Sequence, residues 1–217
     1  MAPETAAGRA RVIAVDGPAA AGKGTLARRL ADHYGLGFLD TGALYRAVAA
    51  RVLAAGIDPA DAVEAAREAR ALEPADLARP ELRDERVGQA ASVVAAHQGV
   101  RAALLDYQRR IGRTPPGAVL DGRDIGTVVF PDAEAKLFVV ASPEVRARRR
   151  VKQLREKGIG AIESRVLAEM KERDARDGGR DVAPLKPAGD ALVIDSTDLD
   201  PDEVFRRAVS FIDSKGG

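Results

Sequence analysis

A glycine-rich loop, placed between a short apolar run and a helical pattern, constrains the fold of this chain more than any other feature of its 217 residues. The apolar run is Arg11–Asp16, whose β-branched composition is typical of a buried strand. The loop glycines let successive backbone N–H groups face one anion, and the following helix adds the partial positive charge of its N-terminus. This context predicts a P-loop that binds nucleotide phosphates. The predicted loop residues are Gly17, Pro18, Ala19, Ala20, Ala21, Gly22, Lys23, Gly24 and Thr25.

The end of this loop suggests how a nucleotide and its metal would be held. Lys23 would place a compact positive charge on the β- and γ-phosphates of ATP. The residue after it is Gly24, and the hydroxyl comes one position later, at Thr25. This spacing makes a direct bond from Thr25 to Mg²⁺ less secure. The Gly-Lys-Gly-Thr ending resembles that of the nucleoside monophosphate kinases, which implies that the metal is held largely through water, with help from a carboxylate at another strand end.

Four further apolar runs alternate with helical patterns along the chain. The runs are Gly37–Asp40, Ala118–Asp121, Ala135–Ala141 and Ala191–Asp195. Runs that are apolar on both faces are typical of buried parallel strands. The predicted helices include Thr25–Tyr34, Ala43–Leu53, Ala60–Ala71, Gln89–Ala96 and Glu144–Glu156. The alternation predicts an α/β fold in which helices cover both faces of a parallel sheet.

Composition excludes several other classes of protein and site. The chain has no cysteine, which excludes disulfides and thiolate metal sites. With 34 basic and 33 acidic residues and an aromatic content of 4%, it offers no overall polyanion-binding surface and few platforms for stacking bases. No stretch of about 18 apolar residues lacks a charge. We expect a soluble, cytoplasmic monomer that binds neither nucleic acid nor membranes, with a disordered tail at residues 1–9.

Two more segments carry polar residues directly after predicted strands. Asp40–Arg46 offers a helix cap, from Asp40 or Thr41, and an arginine one turn into the helix. Asp121–Thr127 (DGRDIGT) holds two acids and an arginine between two glycines. Because ligands of open α/β sheets bind at the carboxyl ends of the strands, we expect both segments at one site. Asp121 ends an apolar run, which is the position of a metal-associated acid in P-loop proteins.

Taken together, these segments resemble the cytidylate kinase family. The similarity runs from Val12 to about Thr197 and keeps the segments in order. They are the P-loop, LDTGALYR, AASVVAAHQGVRAALL, LDGRDIGTVVFPDA and RDARDGGRDVAPL, and LDGRDIGTVVFPDA contains the most specific run. The resemblance implies an adenylate-kinase-like, five-stranded parallel sheet with an acceptor-binding excursion and a lid. It also implies ATP as phosphoryl donor, CMP and dCMP as acceptors, and Mg²⁺.

The resemblance also implies roles for individual residues. Arg46, Arg123 and Arg180 match the residues that hold the acceptor phosphate, and Arg173 lies where the family contacts phosphate or sugar. Ser92, Arg101 and Asp124 match the residues that read cytosine. Asp177 matches a ribose contact, and Thr41 faces the nucleotide. The residues expected to act in phosphoryl transfer are Lys23, Arg123, Arg149 and Arg150, and the residues expected near the metal are Thr25 and Asp121.

The predicted organisation is a single P-loop kinase domain over residues 10–217. Its core covers about 10–55, 106–145 and 185–217, the helical acceptor-binding excursion about 56–105, and the lid about 146–184. The chain departs from many family members between Leu72 and Val87, where it has a short polar segment instead of a strand-containing insert. Because many arginines would surround an empty site, we expect the excursions to stay apart until anions bind.

Other functions fit the same patterns less well. The arginine-rich run at 146–155 could form a nucleic-acid-binding helix, but the net charge of +1 argues against one. A GTPase switch would need a guanine-reading Asn-Lys-x-Asp element, which the chain lacks. Shikimate, dephospho-coenzyme A and UMP kinases share the P-loop, and a non-catalytic nucleotide-binding module would share it too. Of these alternatives, UMP stays open as a poor acceptor.

Overall fold

Five short parallel strands form one sheet in a computed structural model that describes residues 10–215. The tail predicted to be disordered, residues 1–9, lies outside the described residues. The strands are β1 (Arg11–Asp16), β2 (Gly37–Asp40), β3 (Gly117–Gly122), β4 (Ala135–Val140) and β5 (Leu192–Asp195). Their spatial order is β2-β3-β1-β4-β5, and every neighbouring pair is parallel. All five predicted strands are confirmed, with bounds that differ by at most one residue.

Eight α-helices connect and cover these strands. They are α1 (Lys23–Tyr34), α2 (Thr41–Ala54), α3 (Ala62–Arg70), α4 (Glu85–Val94), α5 (Gln98–Arg113), α6 (Pro143–Glu156), α7 (Glu163–Gly178) and α8 (Pro201–Asp213). Two 3₁₀ turns, Pro74–Ala78 and Pro80–Arg83, and a π-helical turn, Ile125–Val129, complete the list of helical elements in the described part. None of the described helices is long and apolar enough to cross a membrane.

Each face of the sheet packs on a different set of helices. Ile13 and Val15 of β1 are fully buried against α1 and α8, in a cluster that includes Leu30 and Ile212. Ala14 points to the opposite face, where it lies beside Leu120 of β3 and packs with residues of the π-helical turn. The central strands β1, β3 and β4 bury both of their faces, which is why their apolar runs predicted them, whereas the edge strands β2 and β5 are partly exposed.

The helices between β2 and β3 have their own apolar cluster, formed by α2, α3, α4 and α5. An ion pair from α2 to Asp76 fixes the short polar segment, residues 72–87, to this cluster. Arg51 of α2 contacts Asp76 at 3.1 Å and Glu68 at 2.9 Å. The segment that departs from the family pattern therefore has a defined place in the fold.

Helices α6 and α7 pack against each other around a second small cluster, which includes Val151, Leu154 and Met170. The predicted division into core, excursion and lid remains a prediction. Helix α5 continues through the predicted boundary at residue 105, and α6 begins before the predicted boundary at residue 146.

Candidate active site

The carboxyl ends of β1, β2 and β3 open into a cleft of about 410 Å³. The P-loop follows β1, Asp40 ends β2, and Asp121 to Asp124 leave β3. Helices α4, α6 and α7 complete its walls with residues such as Ser92, Arg150 and Arg173. The sheet topology brings these segments together because a reversal of strand order beside β1 leaves a crevice at this edge.

The P-loop wraps around the side chain of Lys23. Gly17 has a φ of +142°, and an added Cβ there would lie 2.0 Å from the Val139 carbonyl oxygen, so only glycine fits. The Lys23 ammonium donates to the Pro18 carbonyl at 2.9 Å and lies 3.8 Å from Asp121 Oδ1. The loop therefore holds its lysine folded back over the backbone, facing the cleft.

Burial, followed by repulsion from Arg123, lowers the pKa of Lys23 to about 8. Asp121 opposes this shift, and burial in turn raises the pKa of Asp121. A bound polyanion would stabilise the charged lysine, because an opposite charge favours the protonated form. Binding of such an anion at the loop would therefore raise the pKa of Lys23 and keep its ammonium group charged.

The contacts of Gly24 explain why a glycine, rather than a hydroxyl residue, follows Lys23 in this loop. An added Cβ at this position would lie 3.1 Å from Asp121 Oδ2, so a side chain here would press on the carboxylate. The glycine allows Asp121 to lie directly over the first turn of α1. Thr25 lies beside it and lines the same cleft.

Four arginines surround the other end of the cleft, and carboxylates hold three of them. Arg46 contacts Asp40 at 2.7 Å. Asp177 accepts from Arg123 Nε at 3.1 Å through Oδ2 and from Arg180 Nη2 through Oδ1. The Nε atoms of Arg173 and Arg180 are buried without a hydrogen-bond partner in the described chain. Buried donors without partners point to a missing acceptor, because leaving such a group unpaired is costly.

A third group of polar side chains lies beside the arginines. Arg101 of α5 forms a buried ion pair with Asp124 and also donates to the Ala95 carbonyl at 3.3 Å. Ser92 of α4 is buried and lines the cleft next to them. Thr41 donates to the Asp121 carbonyl at 2.8 Å. The cleft therefore combines a cationic end with a small set of oriented donors and acceptors.

Comparison with known proteins decides the family. A family model described as cytidylate kinase matches residues 13–214. The chain belongs to the cytidylate kinase family. A protein named cytidylate kinase from Paramagnetospirillum magneticum is 61% identical over 207 residues, which cover 94% of this chain and 98% of that protein. A cytidylate kinase from Granulibacter bethesdensis is 57% identical, covering 94% and 97%, respectively.

Solved structures support the same fold at low sequence identity. A gluconokinase from Sinorhizobium meliloti aligns with a TM-score of 0.51 and 17% identity, covering 94% of this chain and 92% of that one. An uncharacterized protein from Eubacterium ventriosum aligns with a TM-score of 0.54 and 16% identity, covering 94% and 99%. The predicted family and the predicted P-loop kinase fold are therefore confirmed.

The cleft contains most of the residues that the cytidylate kinase family pattern predicts. Those that line it are Ala19, Ala20, Gly22, Lys23, Gly24, Thr25, Thr41, Arg46, Ser92, Arg101, Asp121, Arg123, Asp124, Arg150, Arg173, Asp177 and Arg180. Gly17, Pro18, Ala21 and Arg149 are not among the lining residues. Arg149 instead donates to Ser196 Oγ at 3.0 Å and to the Ser196 carbonyl at 2.7 Å, behind the loop.

The helices of the two predicted excursions contact each other in this structure, while the expectation that the excursions stay apart until anions bind remains a prediction. Arg150 of α6 pairs with Glu85 of α4, and Arg176 of α7 contacts Gln89 and Ser92 of α4. The expected repulsion among arginines is offset because carboxylates accompany most of them, as Asp177 does for Arg123 and Arg180.

Sequence reasoning missed residues that position this cytidylate kinase family site. Arg146 donates to both carboxylate oxygens of Asp174, at 3.1 and 2.6 Å, and to the Ala19 carbonyl at 3.3 Å. It therefore ties α7 to the P-loop. The oxygens of Asp16 accept from the backbone N–H groups of Ile125 and Gly126, both at 2.8 Å. The signal for Asp16 was an acid at the carboxyl end of an otherwise apolar strand.

Asp16 should make folding stability depend on pH in a defined direction. Burial raises its pKa to about 7, above the ordinary value of 3.8. The folded state then binds more protons between these values, so the stability contributed by Asp16 is present below about pH 4 and is lost as pH rises towards 7. Asp16→Asn lacks this titration and should be less stable than wild type at pH 5, because one backbone N–H would face its amide nitrogen. We expect the gap in the free energy of unfolding to shrink from pH 5 to pH 8 in urea titrations, and a constant or growing gap would contradict it.

Proposed function

We propose that this chain transfers the γ-phosphoryl group of ATP to CMP, and to dCMP, giving ADP and the cytidine diphosphate. The observation that carries this proposal is the buried Arg101–Asp124 pair, which lies beside Ser92 at the arginine-rich end of a P-loop cleft. The relatives named cytidylate kinase support the same reaction.

Phosphoryl transfer requires positioning and charge neutralisation more than covalent chemistry. In our proposal, Lys23 and the P-loop amides hold the donor phosphates, and Arg150 approaches them from α6. The orphan Nε–H groups of Arg173 and Arg180, with Arg46 and Arg123, hold the acceptor phosphate. The attacking oxygen is largely ionised at neutral pH, so no general base is required.

Asp177 has a double role in this proposal. Burial alone would raise its pKa, but the guanidinium groups of Arg123 and Arg180 hold the pKa of Asp177 below its ordinary value. The charged carboxylate thus aligns both arginines. Each of its oxygens keeps a lone pair, which could accept from a ribose hydroxyl.

Asp121 and Thr25 fit the requirements of Mg²⁺. Both line the cleft at the P-loop, and they offer a carboxylate and a hydroxyl, which are hard oxygen donors. The described residues contain no cluster of three metal-ligating side chains, which suits an ion that keeps several waters. When bound, Mg²⁺ would neutralise charge on the β- and γ-phosphates.

The remaining properties are proposals of the same kind. We propose that the enzyme acts as a cytoplasmic monomer on free nucleotides, without nucleic acid or membrane partners. The balanced charge supports the expected lack of nucleic-acid partners.

An acceptor panel tests the proposed function. ADP release from ATP would be measured with CMP, dCMP, UMP, AMP, GMP and shikimate as acceptors. We expect CMP and dCMP to give the highest kcat/KM. Faster turnover with AMP, GMP or shikimate than with CMP would overturn the proposal, and nucleotide binding without turnover would support a non-catalytic module.

Base choice gives a more specific prediction. Ionised Asp124 only accepts hydrogen bonds, which suits the 4-amino group of cytosine and opposes the 4-carbonyl of uracil. Asp124→Asn supplies an amide that can donate to that carbonyl. We expect the CMP-to-UMP ratio of kcat/KM to narrow by at least about tenfold, since a hydrogen bond to a charged group contributes about 1.5–3 kcal/mol. Equal losses with both acceptors would instead indicate that Asp124 only stabilises the turn after β3.

A further inference from the structure

One face of α4 receives arginines from both helices of the α6–α7 pair. Glu85, Gln89 and Ser92 are spaced four and three residues apart, so they lie on the same side of the helix. We call these three residues the α4 stripe. Arg150 of α6 contacts Glu85, while Arg176 of α7 contacts both Gln89 and Ser92. The stripe therefore joins two parts of the molecule that lie on opposite sides of the cleft.

Arg176 and the helix backbone fix the orientation of the Ser92 hydroxyl. The Ser92 Oγ donates to the Gln89 carbonyl at 3.0 Å. Arg176 Nε donates to the same Oγ at 3.1 Å, and Arg176 Nη2 donates to Gln89 Oε1 at 3.0 Å. A hydroxyl has one proton and two lone pairs. The proton and one lone pair of Ser92 are therefore already engaged, and one lone pair remains.

A serine held in this way can act towards the cleft only as an acceptor. Its side chain is 2% exposed and lines the cleft near Asp124. An acceptor in this place suits an exocyclic amino group and opposes a carbonyl oxygen. Without Arg176, no donor from α7 would occupy a lone pair of Ser92 Oγ. The hydroxyl could then rotate and donate its proton to the 4-carbonyl of a bound uracil.

We propose that Arg176 is a positioning residue for base selectivity: it holds Ser92 as a hydrogen-bond acceptor and thereby favours a 4-amino over a 4-carbonyl pyrimidine. Arg176 is not among the cleft-lining residues of the described chain, so it acts through Ser92 rather than on the nucleotide. Because α7 also carries Arg173 and Asp177 and is followed by Arg180, docking of this helix would complete phosphate binding and base reading together. The inference rests on the proposed function.

The test compares CMP and UMP as acceptors for wild type and Arg176→Met, which keeps the length of the side chain and removes its donors. We expect the CMP-to-UMP ratio of kcat/KM to narrow by about fivefold, which corresponds to one neutral hydrogen bond. The KM for ATP should not change. Arg176→Lys, which retains a donor, should restore part of the ratio.

Two further variants distinguish an effect on base selectivity from a general weakening of the contacts between α4 and the α6–α7 pair. Glu85→Gln weakens the contact with Arg150 but retains an amide oxygen that can still accept from Gln89, so it should leave the ratio unchanged. If Arg176→Met does not fold, Gln89→Leu removes the acceptor that holds Arg176 Nη2, and it should narrow the ratio in the same direction. Thermal unfolding of each variant would verify that it is folded.

A double-mutant cycle with Ser92→Ala gives the decisive result. Arg176→Met should have no further effect on the ratio when Ser92 is absent. An unchanged ratio in folded Arg176→Met, or equal narrowing with and without Ser92, would overturn the role of Arg176 while leaving CMP kinase activity in place. A wild-type enzyme that does not prefer CMP would overturn the proposed function, and the inference with it.

Discussion

Lys23→Ala should lower kcat by about 100-fold or more while the affinity for CMP changes little. The Lys23 ammonium lies inside the P-loop, 2.9 Å from the Pro18 carbonyl. In the proposed mechanism, its charge would meet the phosphate that moves during transfer. Removing one preorganised electrostatic donor of this kind costs on the order of 3 kcal/mol or more in the transition state. Steady-state rates with saturating ATP and CMP, together with CMP titration calorimetry, would measure both quantities.

The matched control for Lys23 is Arg28→Ala. Arg28 lies on the same helix but packs on Phe38 instead of lining the cleft. Its removal takes away one positive charge of α1 without changing the cleft lining. This variant should keep wild-type kcat. Near-normal kcat in Lys23→Ala would mean that the loop is structural and that our mechanism is incorrect.

Arg123→Ala should reduce kcat/KM for CMP by at least about 100-fold, through a higher KM and a lower kcat. Arg123 is anchored by Asp177 at 3.1 Å and by the Gly122 carbonyl at 3.2 Å, which leaves the rest of its guanidinium free to hold the acceptor phosphate. Hydrogen bonds to charged groups contribute about 1.5–3 kcal/mol each, and loss of alignment adds to the barrier.

Two comparisons would show whether the effect of Arg123 depends on its geometry. Arg123→Lys keeps the charge but loses the planar fork, so it should recover only part of the activity. Asp177→Asn releases Arg123 and Arg180 together and should shift KM for CMP in the same direction as Arg123→Ala. A folded Arg123→Ala enzyme with unchanged constants would show that the family role of this arginine does not transfer to this chain.

Much of the fold could be predicted because it depends on local patterns. β1 and β4 are apolar on both faces, and burial in a central sheet imposes that composition. Helix ends were predicted less well. α1 begins at Lys23 because the loop itself forms the first turn, and α2 begins at Thr41 because Asp40 caps it at 3.1 Å from the Ala43 amide.

Site residues could be predicted only where they lie within a sequence motif and have a side chain suited to nucleotide binding. Pairs such as Arg146 with Asp174, or Arg176 with Ser92, join side chains that lie 28 and 84 residues apart. Their contacts depend on how α6, α7 and α4 pack, which no local pattern describes. For the same reason, the direction of Arg149, behind the P-loop rather than in the cleft, could not be predicted.

The polarity of the contacts across the cleft has a thermodynamic consequence. The apolar clusters lie within the α2–α5 group and within the α6–α7 pair, while Arg150–Glu85 and the Arg176 hydrogen bonds join the two groups. Separating the groups would hydrate charged side chains and little apolar surface. The change in heat capacity on opening should therefore be small, and the opening equilibrium should respond to ionic strength. If opening limits product release, turnover should rise with moderate salt and give a nearly linear Eyring plot.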